Sequence, residues 1–444
     1  MLKIIYLMFL VMMFPTAAFA DSSAINQGDT AWMLISTALV MLMTPGLGLF
    51  YGGMVRSKNV LGTILHSFIM LCMVSVIWVI WGYSFAFGND VHGFIGGFTW
   101  FGMNGVGLEP STFAASIPHL IFMMYQGMFA AITPALITGA FAERMKFSAL
   151  LVFSAIWITL VYAPVCHWVW GGGWISQHLA ALDFAGGMVV HINSAIAALA
   201  AIIVIGKRRG FGSEPMMPHN LPMTIMGAAL LWFGWFGFNA GSALTSGGLA
   251  ALAFVTTNTA SSAAALGWLI VEWRHRGKPT ALGAVSGAVA GLVAITPAAG
   301  FVSPMSALII GFIAGGICYM AVSLKSRTGL DDSLDVLGIH GVGGTWGAIA
   351  TGLFATKLLN PSGQDGLFYG NSGLIVNQLL SILAVCVYVF IVSFIILKVI
   401  DKTIGLRITE EQEYTGLDLA LHGENGYELG VSGHGGSHIF RKEG

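Results

Sequence analysis

Five histidines fall within or at the edges of long apolar stretches of this sequence: His66, His119, His167, His191 and His340. Imidazole gains and loses its proton near neutral pH, and an ionisable group held among apolar residues in a membrane is costly and marks a pathway or relay. His191 and His340 differ from the others, because each follows apolar residues and precedes a helix-like run of small ones. Those two read as groups that exchange protons or hydrogen-bond a small solute, whereas His66, His119 and His167 read as satisfied packing groups. Asp183 opens Asp183-Phe184-Ala185-Gly186-Gly187, just ahead of the stretch holding His191. A carboxylate there caps a helix by accepting backbone N–H groups; attraction of a cation is its second reading. Phe129, Trp168, Trp170, Trp174, Trp232, Trp235, Phe236 and Phe238 gather near the ends of apolar stretches. Such rings suit an interfacial belt, but their faces also hold a desolvated cation, worth about 2 kcal/mol or more. Ser242 nearby would add one directed acceptor.

These side chains must be carried by membrane-embedded helices. Only 9% of the 444 residues are charged, against about 25% in a soluble domain, and the mean hydropathy is +0.81. Twelve of the 39 Asp, Glu, Lys and Arg residues lie from Asp401 onward, so the first 400 residues belong in a bilayer. A formal net charge of -1 gives no field that would gather nucleic acid. Cys72, Cys166, Cys318 and Cys386 are far apart in apolar runs and form no CxxC pair, which points to packing and away from zinc or a disulfide framework. Lys3, the apolar run from Ile4 to Phe14 and Ala18-Phe19-Ala20 before Asp21 read as a signal peptide over residues 1–20.

Eleven later stretches are long and apolar enough to span a membrane: about residues 31–53, 61–86, 118–141, 147–169, 186–206, 221–240, 249–272, 280–298, 305–324, 336–356 and 374–398. With the mature N-terminus outside, seventeen Lys and Arg fall on the cytoplasmic side and only Lys357 outside. That segregation fits the positive-inside rule and an odd number of spans. Ala131-Ile132-Thr133-Pro134 in the third stretch recurs as Ala294-Ile295-Thr296-Pro297 in the eighth, and His191 in the fifth recurs as His340 in the tenth. Five spans followed by a related five give an inverted repeat, as in transporters whose pathway lies between the copies. The expectation is an all-α polytopic membrane protein in which His191 and His340 meet near the midplane.

Several segments together resemble the ammonium transporter family: Tyr125-Gln126-Gly127-Met128-Phe129, Val169-Trp170-Gly171-Gly172-Gly173, the Asp183 run with Val190-His191-Ile192-Asn193, Gly234 to Ser242, Thr296-Pro297-Ala298 and Gly338-Ile339-His340-Gly341. The resemblance runs from about residue 29 to about residue 428. It implies a homotrimer of eleven-span subunits in a cell (inner) membrane, with helices 1–5 and 6–10 as the inverted repeat and a central hydrophobic pore in each subunit. Carried across, Phe129, Trp170 and Ser242 resemble the outer recognition site, Phe129 and Phe238 the gate, and His191 and His340 the twin histidines of the pore. Trp235 matches a pore-lining tryptophan, and Asp183 the structurally required acid. Tyr125 departs from the usual phenylalanine and leaves the vestibule aromatic. The substrate implied is ammonium or ammonia, with methylammonium as an analogue and no cofactor or metal. The tail, residues 401–444, carries Gly405-Leu406-Arg407, Glu410 to Glu413, Gly416-Leu417-Asp418 and His422 to Asn425, which resemble the bacterial tail that docks a PII-type nitrogen signal protein. His434 and His438 lie beyond that pattern and read as a flexible end.

Ammonium and potassium are alike in size and charge, so a wet hole separates them poorly. An apolar pore penalises both ions, and only ammonium can shed a proton and cross as a small neutral molecule. An intramembrane metal hydrolase would need a third ligand and an activating carboxylate at midplane depth; apart from Asp183 the spans offer none there. The other alternative is an ammonium sensor of the same fold that signals through its tail.

Overall fold

The structure, a computed structural model, describes residues 25–427. The signal-peptide expectation over 1–20 and the residues from 428 onward, with His434 and His438, lie outside the described residues. Among the described residues, nine helices are long and apolar enough to cross a membrane: α1 Gln27–Met54, α2 Ser57–Phe87, α3 His119–Thr138, α4 Phe147–Val169, α5 Gly187–Ile205, α6 Leu221–Ala243, α7 Gly248–Arg276, α9 Pro304–Lys325 and α11 Ser372–Thr403. Between them, α8 is Ala281–Ile295, and α10 is Leu337–Gly341 continued by Val342–Phe354. These two are shorter and fall on the remaining expected stretches. Helix is the form such a sequence must take, because in lipid every backbone polar group has to be satisfied inside its own segment. Asn26, Asn220, Thr280, Ser303 and Asn371 each accept a first-turn N–H and so fix where α1, α6, α8, α9 and α11 begin.

The most extensive helix pairings are α1 with α6 and α7 with α9. Small residues make them possible. A Cβ on Gly227 of α6 would stand 2.2 Å from the Phe50 nitrogen of α1, and one on Gly315 of α9 would stand 2.0 Å from the Ala264 oxygen of α7. The helices meet backbone to backbone, and no larger side chain fits either seam.

Five π-turns are present among the described residues: Ile175–Leu179 stands in the α4–α5 connection, and Trp78–Gly82, Ile158–Tyr162, Gly187–Ile192 and Leu337–Gly341 belong to α2, α4, α5 and α10. Such turns rotate the side chains beyond them and occur often at functional sites. The last two open α5 and α10, and each contains one of the two histidines singled out by the sequence. On the face reached by the α2–α3 connection, β1 Asp90–Val91 pairs with β2 Ile95–Gly96, and β3 Pro110–Ser111 with β4 Ala114–Pro118. The opposite face carries the tail helices α12 Glu410–Thr415 and α13 Leu417–His422.

Candidate functional site

Asp183 fixes the start of α5. Its Oδ1 accepts the Gly186 and Gly187 N–H groups at 2.8 and 2.6 Å, and its Oδ2 those of Met188 and Val189 at 2.7 and 3.3 Å. Burial pushes its pKa above the usual carboxylate value, and the four donors oppose that rise. Gly186 takes φ +117°, which lets the chain double back over the carboxylate. The Asp183 carbonyl accepts the Trp170 indole N–H at 2.8 Å. One residue therefore sets both the register of His191 and the orientation of Trp170.

From Trp170 inward the rings form a continuous stack. Trp170 meets Phe129 edge-on with centroids 5.8 Å apart, and Phe129 lies 4.3 Å from Phe238. Phe238 and Trp235 face His191 at 6.1 and 5.5 Å, and His191 lies parallel to His340 at 5.2 Å. The two Nδ1 atoms are 3.2 Å apart. In a neutral pair one Nδ1–H donates to the other Nδ1, which leaves one Nε2 as acceptor and the other as N–H donor. Trp235 is held by its own N–H donating to Thr296 Oγ1 at 3.0 Å, within the second copy of the Ala-Ile-Thr-Pro sequence. A Cβ on Gly344 would come 3.0 Å from the His191 Cβ, so α10 packs directly under that ring.

The histidines line a narrow chamber together with Met43, Leu47, Phe50, Ile132, Leu136, Val190, Leu231, Trp235, Phe238 and Val289. Among the described residues they are its only titratable side chains. Beyond Phe129 and Phe238 opens a vestibule of about 380 Å³, whose wall includes Trp170, Ser242, Gln126, Asp183 and Phe184. Ser242 Oγ donates to the Phe238 carbonyl at 2.9 Å and keeps lone pairs free to accept.

The other sequence candidates lie off this line. His119 pairs with the Tyr83 hydroxyl, and His167 lies 2.9 Å from both the Ala86 carbonyl and Asp90 Oδ1. His66 is buried beside Phe147, and its Nε2 has no hydrogen-bond partner among the described residues. Trp168 and Trp174 pack together, with the Trp168 N–H held by the Phe94 carbonyl, while Phe236 stacks on Phe254. Tyr125 corrects an expectation. It is fully buried behind the vestibule wall, and its hydroxyl reaches the Gly237 and Phe238 carbonyls and Ser242 Oγ. Its polarity braces α6 and does not line the vestibule.

Two groups escaped the sequence reading. Asp332 stands eight residues before His340, as Asp183 stands eight before His191. That repeated spacing is visible in the sequence. Asp332 Oδ2 accepts the Leu337 N–H at 2.8 Å, and Oδ1 is buried without a hydrogen-bond partner among the described residues. Its backbone carbonyl accepts from Lys325 Nζ, which also meets Asp335. Burial pushes the Asp332 pKa up to about 6, with Lys325 opposing. The second group is an ion cluster that ties the tail-side connections together. Glu143 holds Arg56 at 2.6 Å and Arg208 at 3.5 Å, and Arg208 also meets Asp331 at 2.8 Å. Burial would raise the Glu143 pKa, but the hydrogen bond from Arg56 and the Arg208 charge bring it below its ordinary value. Glu413 of the tail binds Arg407 at 2.7 Å and accepts the Arg209 N–H. Among the described residues, no group of three or more His, Cys, Asp or Glu could hold a metal ion.

A model described as Ammonium Transporter Family matches residues 31–427. An ammonium transporter of Bacillus subtilis (strain 168) is 58% identical over 407 residues, which is 91% of this chain and 99% of that protein. Ammonium transporter Amt1 of Archaeoglobus fulgidus is 50% identical over 402 residues, covering 90% of this chain and 100% of that one. Among solved structures, Candida albicans Mep2 matches with a TM-score of 0.83 at 37% identity, over 89% of each chain. A sensor Amt protein matches with a TM-score of 0.83 at 30% identity, over 89% of this chain and 98% of that one.

Proposed function

This chain belongs to the ammonium transporter family and is a multi-pass membrane protein that transports ammonium, and from that premise we propose how its residues do so. Ammonium is held in the vestibule over the Trp170 and Phe129 faces, with Ser242 Oγ as a directed acceptor. Passing Phe129 and Phe238 strips its water, and the apolar chamber beyond admits ammonia far more readily than any ion. There His191 and His340 supply one acceptor and one donor to the neutral molecule, and as the chamber's only titratable side chains among the described residues they are its only relay for the proton left behind.

The observation that carries this reading is the Nδ1 to Nδ1 contact at 3.2 Å inside an otherwise apolar wall. Uptake of labelled methylammonium into cells lacking their own transporter tests it, with a potassium leak measured alongside. A double variant His191→Ala with His340→Ala should stop uptake or admit potassium. Wild-type uptake with wild-type exclusion of potassium would return the histidines to packing roles.

The wider assembly follows the same family reading. Eleven spans form an inverted repeat of helices 1–5 and 6–10. The matched Asp-to-His spacing and the paired π-turns support that repeat. The mature chain begins near Asp21 outside the cell (inner) membrane, spans it to about residue 400 and leaves residues 401–444 in the cytoplasm, a topology supported by the basic residues clustered at the tail-side face. Subunits associate as a homotrimer, and the tail is the docking platform for a PII-type signal protein. A sensor is the second reading, motivated by the sensor Amt protein among the similar structures. The same uptake assay separates the two, since a pure sensor would leave uptake at background.

A further inference from the structure

Both peptides that flank Asp183 are gripped from outside its loop, and one grip comes from a helix that the pathway does not use. After the π-turn Ile175–Leu179 the chain passes through Ala180 at φ +46° and reaches Asp183 without regular structure. Its peptide groups therefore need partners from elsewhere. The Phe184 N–H donates to the Pro297 carbonyl at 3.1 Å, on the same peptide whose Asp183 carbonyl accepts the Trp170 indole N–H. On the other side stands Gln378 of α11. Its Oε1 accepts the Leu182 N–H at 2.8 Å, and its Nε2 donates to the Leu182 carbonyl at 2.9 Å and to the Ala348 carbonyl of α10 at 3.0 Å.

Gln378 is fully buried. A side-chain amide offers one carbonyl oxygen and two N–H groups, and here all three are used. A glutamine at that depth costs free energy unless those bonds are made, and a hydrocarbon side chain would serve if it had only to pack. The helix seam leaves room for it: a Cβ on Gly352 of α10 would stand 3.2 Å from the Gln378 Cγ and 2.9 Å from the Ile375 Cα. Among the described residues that line the chamber and the vestibule, none belongs to α11. What Gln378 holds is backbone. With both polar groups of Leu182 fixed by one amide, the chain enters Asp183 in a single direction, and the next carbonyl is aimed at Trp170. The third bond ties the same point to α10, eight residues past His340.

We propose that Gln378 is a positioning residue for the ammonium site: by clamping Leu182 to α10 it fixes the Asp183 carbonyl, and through it the Trp170 ring, at the angle that receives the cation. This rests on the reading of the vestibule as the ammonium site. Attraction to an aromatic ring requires the cation over its face, so a tilt of Trp170 weakens binding. The four N–H groups on the Asp183 carboxylate keep His191 in register without Gln378, so the chamber beyond is unchanged.

The test is ammonium transport by purified protein in liposomes, for Gln378→Met, Trp170→Leu and the two combined. Gln378→Met keeps length and bulk but removes all three hydrogen bonds, and should raise the half-saturating ammonium concentration about fivefold with the maximal rate within about twofold of wild type. Because it acts through Trp170, adding it to Trp170→Leu should shift half-saturation by less than about twofold. A Gln378 that only stabilises the fold would lower the yield or the maximal rate and leave half-saturation alone. Half-saturation unchanged in Gln378→Met, with Trp170→Leu raised, overturns the proposal while sparing the vestibule reading. A larger shift in the Trp170→Leu background also overturns it, since the effect would then arise elsewhere. No change in Trp170→Leu overturns the vestibule reading itself. If Gln378→Met fails to fold, Gln378→Glu decides: it keeps the acceptor for Leu182 N–H but cannot donate to both carbonyls, so half-saturation should rise, and an unchanged value sinks the proposal.

Discussion

Asp183 and Asp332 occupy the same position relative to a histidine in a π-turn, yet one carboxylate accepts four backbone N–H groups and the other accepts Leu337 N–H and leaves an oxygen unpaired. The vestibule end of the pathway is thus built around a saturated cap that also anchors Trp170. The tail end is held by side-chain charges, with Lys325 beside Asp332 and Asp335, and Arg208 between Glu143 and Asp331. Backbone donors have one geometry, whereas charged side chains can exchange partners. The difference teaches that the entry to the stack is rigid by construction and that any adjustment of the pathway belongs to the end where the tail is attached.

The largest effect expected from this contrast is at Asp183. Asp183→Ala leaves four buried N–H groups unpaired, a loss on the order of 5 kcal/mol, and should abolish both folded protein and uptake. Asp332→Ala frees one N–H and should cost less than half as much. Thermal unfolding in detergent of the two variants side by side measures the gap, and equal losses would erase the distinction between the ends.

The next effect is at the ion cluster. Arg208 is 8% exposed on its side chain, and its partners Glu143 and Asp331 are each 1% exposed. Arg208→Ala removes the cation shared by two buried carboxylates, leaving Glu143 with Arg56 and Asp331 with Arg144 at 3.9 Å, and should cost about 3 kcal/mol. Because the cluster adjoins the Glu413 contacts, this variant should also release the tail to protease at Lys402 or Arg407, while Asp183→Asn, at the other face, should leave tail cleavage unchanged. Unaltered cleavage in Arg208→Ala would show that the cluster and the tail act separately.

The last effect, at most equal to that one, is a pH dependence. The folded pKa of Asp332, about 6, lies above its ordinary 3.8, so the folded state binds this proton more tightly than the unfolded chain does. The group therefore favours folding below about pH 4 and loses that favour as pH rises through 6. Asp332→Asn should gain up to about 3 kcal/mol over wild type at pH 8 and nothing at pH 4. A gain that is equal at both values would mean that Asp332 is neutral throughout that range.

Much of this site was legible in residue type alone. Ionisable and aromatic residues are rare enough within apolar stretches that His191, His340, Phe129, Trp170 and Phe238 select themselves, and the structure gathers them into one stack. Apolar length located the helices because the backbone has no other way to be satisfied in lipid. What escaped depends on rotation about a helix or on partners far apart in sequence. Periodicity over a few residues did not distinguish Tyr125, turned away from the vestibule, from Gln126, which lines it. The π-turns leave no mark in composition. Glu143, Arg208 and Asp331 are separated by 65 and 123 residues, and charge counting registered only the side of the membrane to which they belong. Asp332 was within reach, since its spacing to His340 repeats that of Asp183 to His191, but an acid beside Lys325 and Arg327 reads as one more solvated charge.

The tail closes the chain in a way that bears on how the protein is made. Asp418 accepts the Leu61 and Gly62 N–H groups at 3.0 and 2.8 Å, and Lys58 Nζ is held by the Glu413 and Tyr414 carbonyls. The first turn of α2, among the earliest segments to leave the ribosome, therefore waits for its cap until more than 350 further residues have been synthesised. A chain that stops before Asp418 leaves the Leu61 and Gly62 N–H groups without that acceptor, so the stability of this turn is set by a segment made much later.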